Sequence, residues 1–414
     1  MYGRTVGDRL YFILLFSTSL ILMGYLIKFF QGCPIGFKLN FSIKDFSPFD
    51  RLLSSTLIWL WPLIIASWLI GIFIGLVNNV DPSFVFRNFL GLLVYMIFPV
   101  MLIVSPSLKS LISMIFIAGM VQMFYGFVQS YEFMINPAAF YTGLSFTDMR
   151  SVYNTGSIVV FPLFTVGAAY QLLPKNYFSD DRGRSENYGQ MVSILSKSFI
   201  FTFLTLIAIV VPSMSKGFIL ATATLFLSVV LFLIRYSLKA GRIHKNIVML
   251  LVFLVLLLYL LPSEFYNTII YSYSLEEESN SVKSEQYKYL IAELTFWGNG
   301  LGSSLHSGHA ASTKSYAFEL TYLNIVHKLG VFSIFLFLSY VITLTVASIR
   351  IIKRVYVFES FFVIGLMGYL IVGIGNPILL DSGAVVLHCI AIYILTKPFL
   401  RPLKENHIVS PFLQ

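Results

Sequence analysis

Residues 198–234 read SFIFTFLTLIAIVVPSMSKGFILATATLFLSVVLFLI, and the length of this run decides the fold class. As a single helix its 37 residues would extend about 55 Å at roughly 1.5 Å each, too long for one crossing of about 30 Å of hydrocarbon. Pro212 and Gly217 divide it into two apolar helices joined by the tight turn Pro212-Ser213-Met214-Ser215-Lys216-Gly217, where Lys216 is the single charge. The stretch reads as a membrane hairpin.

The rest of the chain agrees. Hydrophobic residues make up 57% of it and charged residues 11%, against about 25% charged in soluble domains, and the mean hydropathy is +0.82. The short alternating strands of an outer-membrane barrel are not seen. Candidate spans lie near 10–30, 52–77, 84–104, 108–130, 156–173, 198–212, 217–234, 247–261, 320–346, 357–379 and 383–396. The fold class is therefore all-α: a polytopic integral membrane helix bundle with about 11 (10–12) transmembrane helices and one large external loop. Three regions follow: an N-terminal bundle of about eight spans over 1–261, a loop over 262–316, and C-terminal helices with a tail over 317–414. The net charge of +9 fits basic loops on one side of a membrane and needs no nucleic-acid partner. Cys33 and Cys389 are too few and too far apart for a disulfide framework or a thiolate metal site. The first apolar run, long and without a small-residue cleavage site, reads as a retained helix.

Lysine and arginine orient the bundle. Arg235, Lys239, Arg242 and Lys245 mark one cytoplasmic loop, Arg350, Lys353 and Arg354 another, and Lys397, Arg401 and Lys404 the tail. The 262–316 loop, with Glu264, Glu276, Glu277, Glu278, Glu285 and Glu293 against three lysines, belongs outside. Counting back puts 28–51 and 174–197 inside, and the loops near 78–87, 131–155 and 212–217 outside. Eleven spans place the N-terminus outside, against the preference of Arg4 and Arg9; a missed span or re-entrant piece within 31–77, where Pro34, Pro48 and Pro62 interrupt the pattern, would reconcile this.

Residues able to do chemistry collect on the external side. Lys216, with Ser215 and the amides of the following helix start, suits an anion such as phosphate; the alternative is a lysine reaching to the interface. Arg150 offers a bidentate phosphate contact, or pairs with Asp148. His306 and His309 lack the further ligands a metal needs, so no metal is assigned, and each reads as a general base or a solvated loop residue. Glu319 starts the 320–346 span, and Ser315, Glu319 and Tyr322 recur at i, i+4 and i+7 on one helical face. Its carboxylate either complements the helix dipole or takes a proton from a sugar hydroxyl. Gly298, Gly300 and Gly302 lack the G-x-G-x-x-G spacing of a dinucleotide site and read as a flexible loop that lets backbone approach a ligand, part of a mobile lid over Trp297–Gly330. His244, His327, His388 and His407 are assigned no role.

Taken together, Arg150 before a middle span, Ser215-Lys216-Gly217, the Gly298–Gly302 turn, Glu319-Leu-Thr-Tyr-Leu-Asn-Ile-Val-His-Lys-Leu-Gly330 and the late Asn376-Pro377 resemble the O-antigen polymerase and O-antigen ligase superfamily over roughly residues 145–380. Two departures matter: Lys216 stands where the family usually has arginine, and Glu319-Leu320 where ligases usually have His-Asn, which leans toward the polymerase branch. The resemblance implies a glycosyltransferase of the bacterial inner membrane, acting at its periplasmic face without metal or cofactor. Its donor would be a glycan on undecaprenyl diphosphate and its acceptor a lipid-linked repeat unit. Arg150, Lys216 and Ser215 would hold the diphosphate, Glu319, then His309, then His306 would act as base, and Tyr322 would touch the glycan. Implied protein partners are a chain-length regulator and a flippase. The alternatives are a ligase that moves the glycan to a lipid A core, a transporter of lipid-linked oligosaccharide, and a non-catalytic scaffold. A transporter calls for broken helices and charges near the midplane, whereas the candidate residues here gather at one face.

Overall fold

The computed structural model describes residues 37–39, 46–117, 216–239, 278–306, 318–353, 356–375, 377–380 and 382–402, with single positions between 248 and 274. Helix α1 (Pro48–Val77) starts on Ser47, whose hydroxyl accepts from the Asp50 amide at 3.2 Å, with Pro48 in the first turn where no amide is needed. It runs unbroken through Pro62. The re-entrant piece considered for 31–77 is thus absent from residues 48–77. Helix α2 (Pro82–Leu93) is capped by Asp81, which accepts from the Ser83 amide at 2.7 Å, and continues through a tighter turn into α3 (Ile97–Val104). After α4 (Leu108–Ile117) come α5 (Lys216–Lys239), α6 (Glu278–Ala292), α7 (Thr321–Leu329) and α8 (Ser333–Lys353). Helices α9 (Val357–Ile364), α10 (Leu366–Val372) and α11 (Ser382–Thr396) complete the described helical set. A short antiparallel ribbon pairs Phe37–Leu39 with Leu400–Pro402.

Three stretches are helical, long and apolar enough to cross a membrane: Pro48–Val77, Pro82–Leu102 and Thr321–Lys353. They coincide with the spans read at 52–77, 84–104 and 320–346. Leu108–Ile117, Val357–Val372 and Gly383–Phe399 are shorter apolar helices. The candidate spans at 10–30, 156–173 and 198–212 lie outside the described residues, and that at 247–261 does so except for single positions.

α1 shows why such a helix packs as it does. Leu57, Leu60, Ile64, Trp68, Gly71 and Gly75 form a buried stripe at helical spacing, while Trp59, Phe73 and Leu69 on other faces are more than half exposed. Between helices in lipid there is little hydrophobic gain, so close contact at small residues decides the packing. Ser54 meets Arg350 of α8, while Gly71 and Gly75 lie against Leu301, and Gly71 also against Leu329 of α7.

Charge is sorted to the helix ends. At one end the Arg350 guanidinium is buried against Asp50, at 3.1 Å, and also donates to Ser54 Oγ and the Leu395 carbonyl. Phe46 and Phe399 lie 4.8 and 5.6 Å from it. Arg350 is 1% exposed. The reading of Arg350 as part of a basic loop beside Lys353 is thereby corrected: the guanidinium closes the end of the bundle. Between the ends, His388 takes Tyr95 Oη at 2.9 Å on Nδ1 and Ser339 Oγ at 3.1 Å on Nε2, under the stacked ring of Tyr340. The buried imidazole is satisfied on both sides, which suits a structural role.

Candidate functional site

At the other end, α1 stops at Val77 and the segment 295–306 settles onto it. Leu301 donates its amide to the Gly71 carbonyl at 2.8 Å. Asn299 and Gly300 donate to the His327 and Lys328 carbonyls at 2.8 and 3.0 Å, and Val331 donates to Phe296. Gly298, Gly300 and Gly302 all have φ near +80°, a region open to glycine. A Cβ on Gly300 would overlap the backbone of Gly75. The glycines therefore serve backbone-to-backbone docking on α1 and α7. Over 295–306 the expectation of a mobile lid does not hold, since this part is tied to α1 and α7, while 307–317 lie outside the described residues. Gly71 and Gly75, four apart near the end of an apolar span, were the sequence signal for this contact.

Beneath this segment sits a polar group that sequence reasoning missed. Asn88 Oδ1 accepts both the Gly302 amide at 3.0 Å and Lys328 Nζ at 2.6 Å. Lys328 is 2% exposed, with Phe318 beside its ammonium. A lysine and an asparagine inside apolar spans were the available signal. His327 is fully buried against Phe318, and neither of its ring nitrogens has a hydrogen-bond partner among the described residues. It lies in α7 at this end of the bundle.

The sequence-derived candidates fall as follows. Arg150, Ser215 and His309 lie outside the described residues. Lys216 opens α5, where only its backbone is described. His306 donates its amide to the Glu293 carboxylate, and its Nδ1 lies 3.0 Å from Glu293 Oε2 while the ring is 90% exposed. Glu293 thus orients an imidazole whose other face meets solvent, the arrangement a general base requires.

Glu319 stands two residues before α7, because Leu320 is the non-helical cap and Phe318 is drawn into a small core with Leu290 and Leu305. The helical face through Ser315, Glu319 and Tyr322 is therefore not continuous at Glu319. Its amide donates to Gln286 Oε1 at 3.0 Å, and its half-buried carboxylate lies 3.4 Å from Lys283 Nζ on α6. That ammonium also lies close to Gly375, just before the turn Pro377–Leu380 that packs on α7. Tyr322 donates its hydroxyl to the Leu370 carbonyl at 2.5 Å and leans on Phe337, joining α7 to α10.

The site is thus assembled from the glycine segment, the Glu319–Gly330 strip and the 375–380 turn, stretches that are separate in sequence. Its groups with described partners include a carboxylate held by an ammonium, a carboxylate-oriented histidine and the buried Lys328 on Asn88. Compared with known proteins, the chain matches no family model, no curated protein and no solved structure.

Proposed function

We propose that this protein is an O-antigen or surface-polysaccharide polymerase. It transfers a growing glycan from undecaprenyl diphosphate to a lipid-linked repeat unit at the periplasmic face of a bacterial inner membrane. In this reading the bundle has about 11 spans, and the end carrying 295–306 and Glu319 is periplasmic. The observation that carries it is the meeting of Glu319, Lys283 and the 375–380 turn at one membrane boundary. Three of the short motifs behind the family resemblance lie at that end.

The chemistry follows from the groups. The acceptor hydroxyl oxygen bonds to the anomeric carbon of the donor while the bond from that carbon to the phosphate oxygen breaks. Glu319 takes the hydroxyl proton, and Lys283 holds the carboxylate in place without touching substrate. Negative charge grows on the departing diphosphate lipid, and Arg150 and Lys216, with Ser215, stabilise it. No metal or cofactor is required by these steps.

Deletion and complementation test the reading. Loss of the protein leaves a single repeat unit on the lipid core; full-length glycan with normal chain distribution in the deletion strain rules the polymerase out. A ligase is the second reading, favoured by the exposed His306 ring that Glu293 orients. For a ligase, deletion removes all O-antigen from the core while polymer accumulates on the carrier lipid.

A further inference from the structure

A cleft of about 1060 Å³ opens between the end of α1, the Asn78–Phe84 turn and the segment 295–306. Neither Glu319 nor Lys283 lines it. One side is apolar, from Ile70, Phe73 and Phe332, and the exposed indole of Trp297 stands beside Phe332 with ring centroids 5.8 Å apart. The other side is polar, carrying Asn79, Asp81 and Ser303. Ser303 is 5% exposed, and its Oγ has no hydrogen-bond partner among the described residues. That oxygen is closed to solvent, so the polar groups open to a ligand on this side are Asn79 and Asp81.

The charge of the cleft narrows the ligand. Among the described lining residues there is no lysine or arginine, and His306 is already paired with Glu293. Hydrogen bonds from Ser83 hold the Asp81 carboxyl below its ordinary value of 3.8, so it is an anion at neutral pH. A diphosphate or another anionic group would meet this carboxylate, and Arg87, the cation that acts on it, does not line the cleft. Sugars have apolar C–H faces that lie on aromatic rings and hydroxyl edges that seek carboxylates, amides and hydroxyls. Trp297, with Asp81 and Asn79 in the same cleft lining, offers both.

We propose that this cleft binds an uncharged saccharide segment, one sugar face lying on Trp297 and its hydroxyls bonded to Asp81 and Asn79. Its cellular role rests on the polymerase reading, in which the cleft holds the neutral part of the glycan away from the diphosphate residues. The test uses the full chain in lipid nanodiscs. Its probe is the neutral oligosaccharide fraction released from the surface polysaccharide of the cells that make the protein, with binding followed by saturation-transfer NMR. Ser304→Trp fills the cleft from an exposed position, and it and Trp297→Ala each weaken binding on the order of tenfold, while Trp297→Tyr restores most of it. Inorganic pyrophosphate does not displace the saccharide. Absence of wild-type binding, wild-type affinity in both Ser304→Trp and Trp297→Ala, or displacement by pyrophosphate overturns the site. The reading and the site fail separately. Polymer ladders that persist in Glu319→Gln count against the base assignment, whereas unchanged saccharide binding in the cleft variants counts against the cleft alone.

Discussion

Glu319 and Arg350 are both partnered charges, yet their surroundings assign them opposite work. Glu319 is half exposed, and its ammonium partner reaches it from a different helix, so the carboxylate is fixed in place and still accessible. As general base it is expected to contribute about 10²–10⁴-fold, so Glu319→Gln reduces polymer formation by that range in membranes supplied with lipid-linked repeat units. Lys283→Met, which frees the carboxylate to wander, lowers the rate on the order of tenfold, and Lys283→Arg keeps most of it. Equal rates for Lys283→Met and wild type would remove the positioning role. Arg350, by contrast, is sealed with Asp50, where losing one partner strands a buried charge at a cost of about 3–5 kcal/mol. Arg350→Ala is therefore expected to lower stability in detergent unfolding by about that amount, and the double replacement Asp50→Leu with Arg350→Met to recover much of it. Equal stability of Arg350→Ala and wild type would show that the pair is solvated in the membrane.

At the level of elements, the segment 295–306 shows where sequence patterns are ambiguous. Alternate glycines between polar residues signal backbone that must come close to something, but they do not say to what. Here the neighbour is α1, and the evidence lies more than 200 positions earlier, in the i, i+4 glycines Gly71 and Gly75. Lys328 and Asn88 are similar: each is a polar residue in an apolar span, and only the fold brings them within 2.6 Å. Glu319 was legible as a functional candidate because a carboxylate beside a membrane span stands out, while its partner Lys283 looked like ordinary loop charge. Gly300→Ala tests the docking. The left-handed backbone alone costs about 1–2 kcal/mol with a Cβ, and the overlap with Gly75 adds to it. Protease cleavage between 295 and 306, slow in the wild type, is expected to become fast in Gly300→Ala, since the segment lifts from α1 before the bundle unfolds. Cleavage at the wild-type rate would mean that the segment is held by other contacts.

For the whole molecule, the spans were readable because lipid imposes length and polarity on every crossing helix, and Pro48–Val77, Pro82–Leu102 and Thr321–Lys353 meet that demand. What joins their ends was not readable, because pairs such as Asp50 and Arg350 are 300 residues apart. The pairings nevertheless agree with the charge-based order of loops. One end gathers the start of α1, the end of α8 and the end of α11; the other gathers the turn at 78–81, the segment 295–306 and the start of α7. Asn78 donating to the Asn299 carbonyl at 3.2 Å requires these two loops to share a side of the membrane. Lysine and arginine bias assigns that side to the exterior and Lys353 to the interior. Cysteine labelling in intact cells tests the arrangement, once Cys33 and Cys389 are replaced by serine. Asn79→Cys and Ser304→Cys are expected to react with a membrane-impermeant maleimide from outside, and Lys353→Cys only after the cells are permeabilised. Labelling of Asn79→Cys and Ser304→Cys from opposite sides would break the packing of 295–306 on α1. Labelling of both from inside would leave that packing intact and turn the whole bundle over, which would put the proposed active face on the opposite side of the membrane from the one the polymerase reading requires.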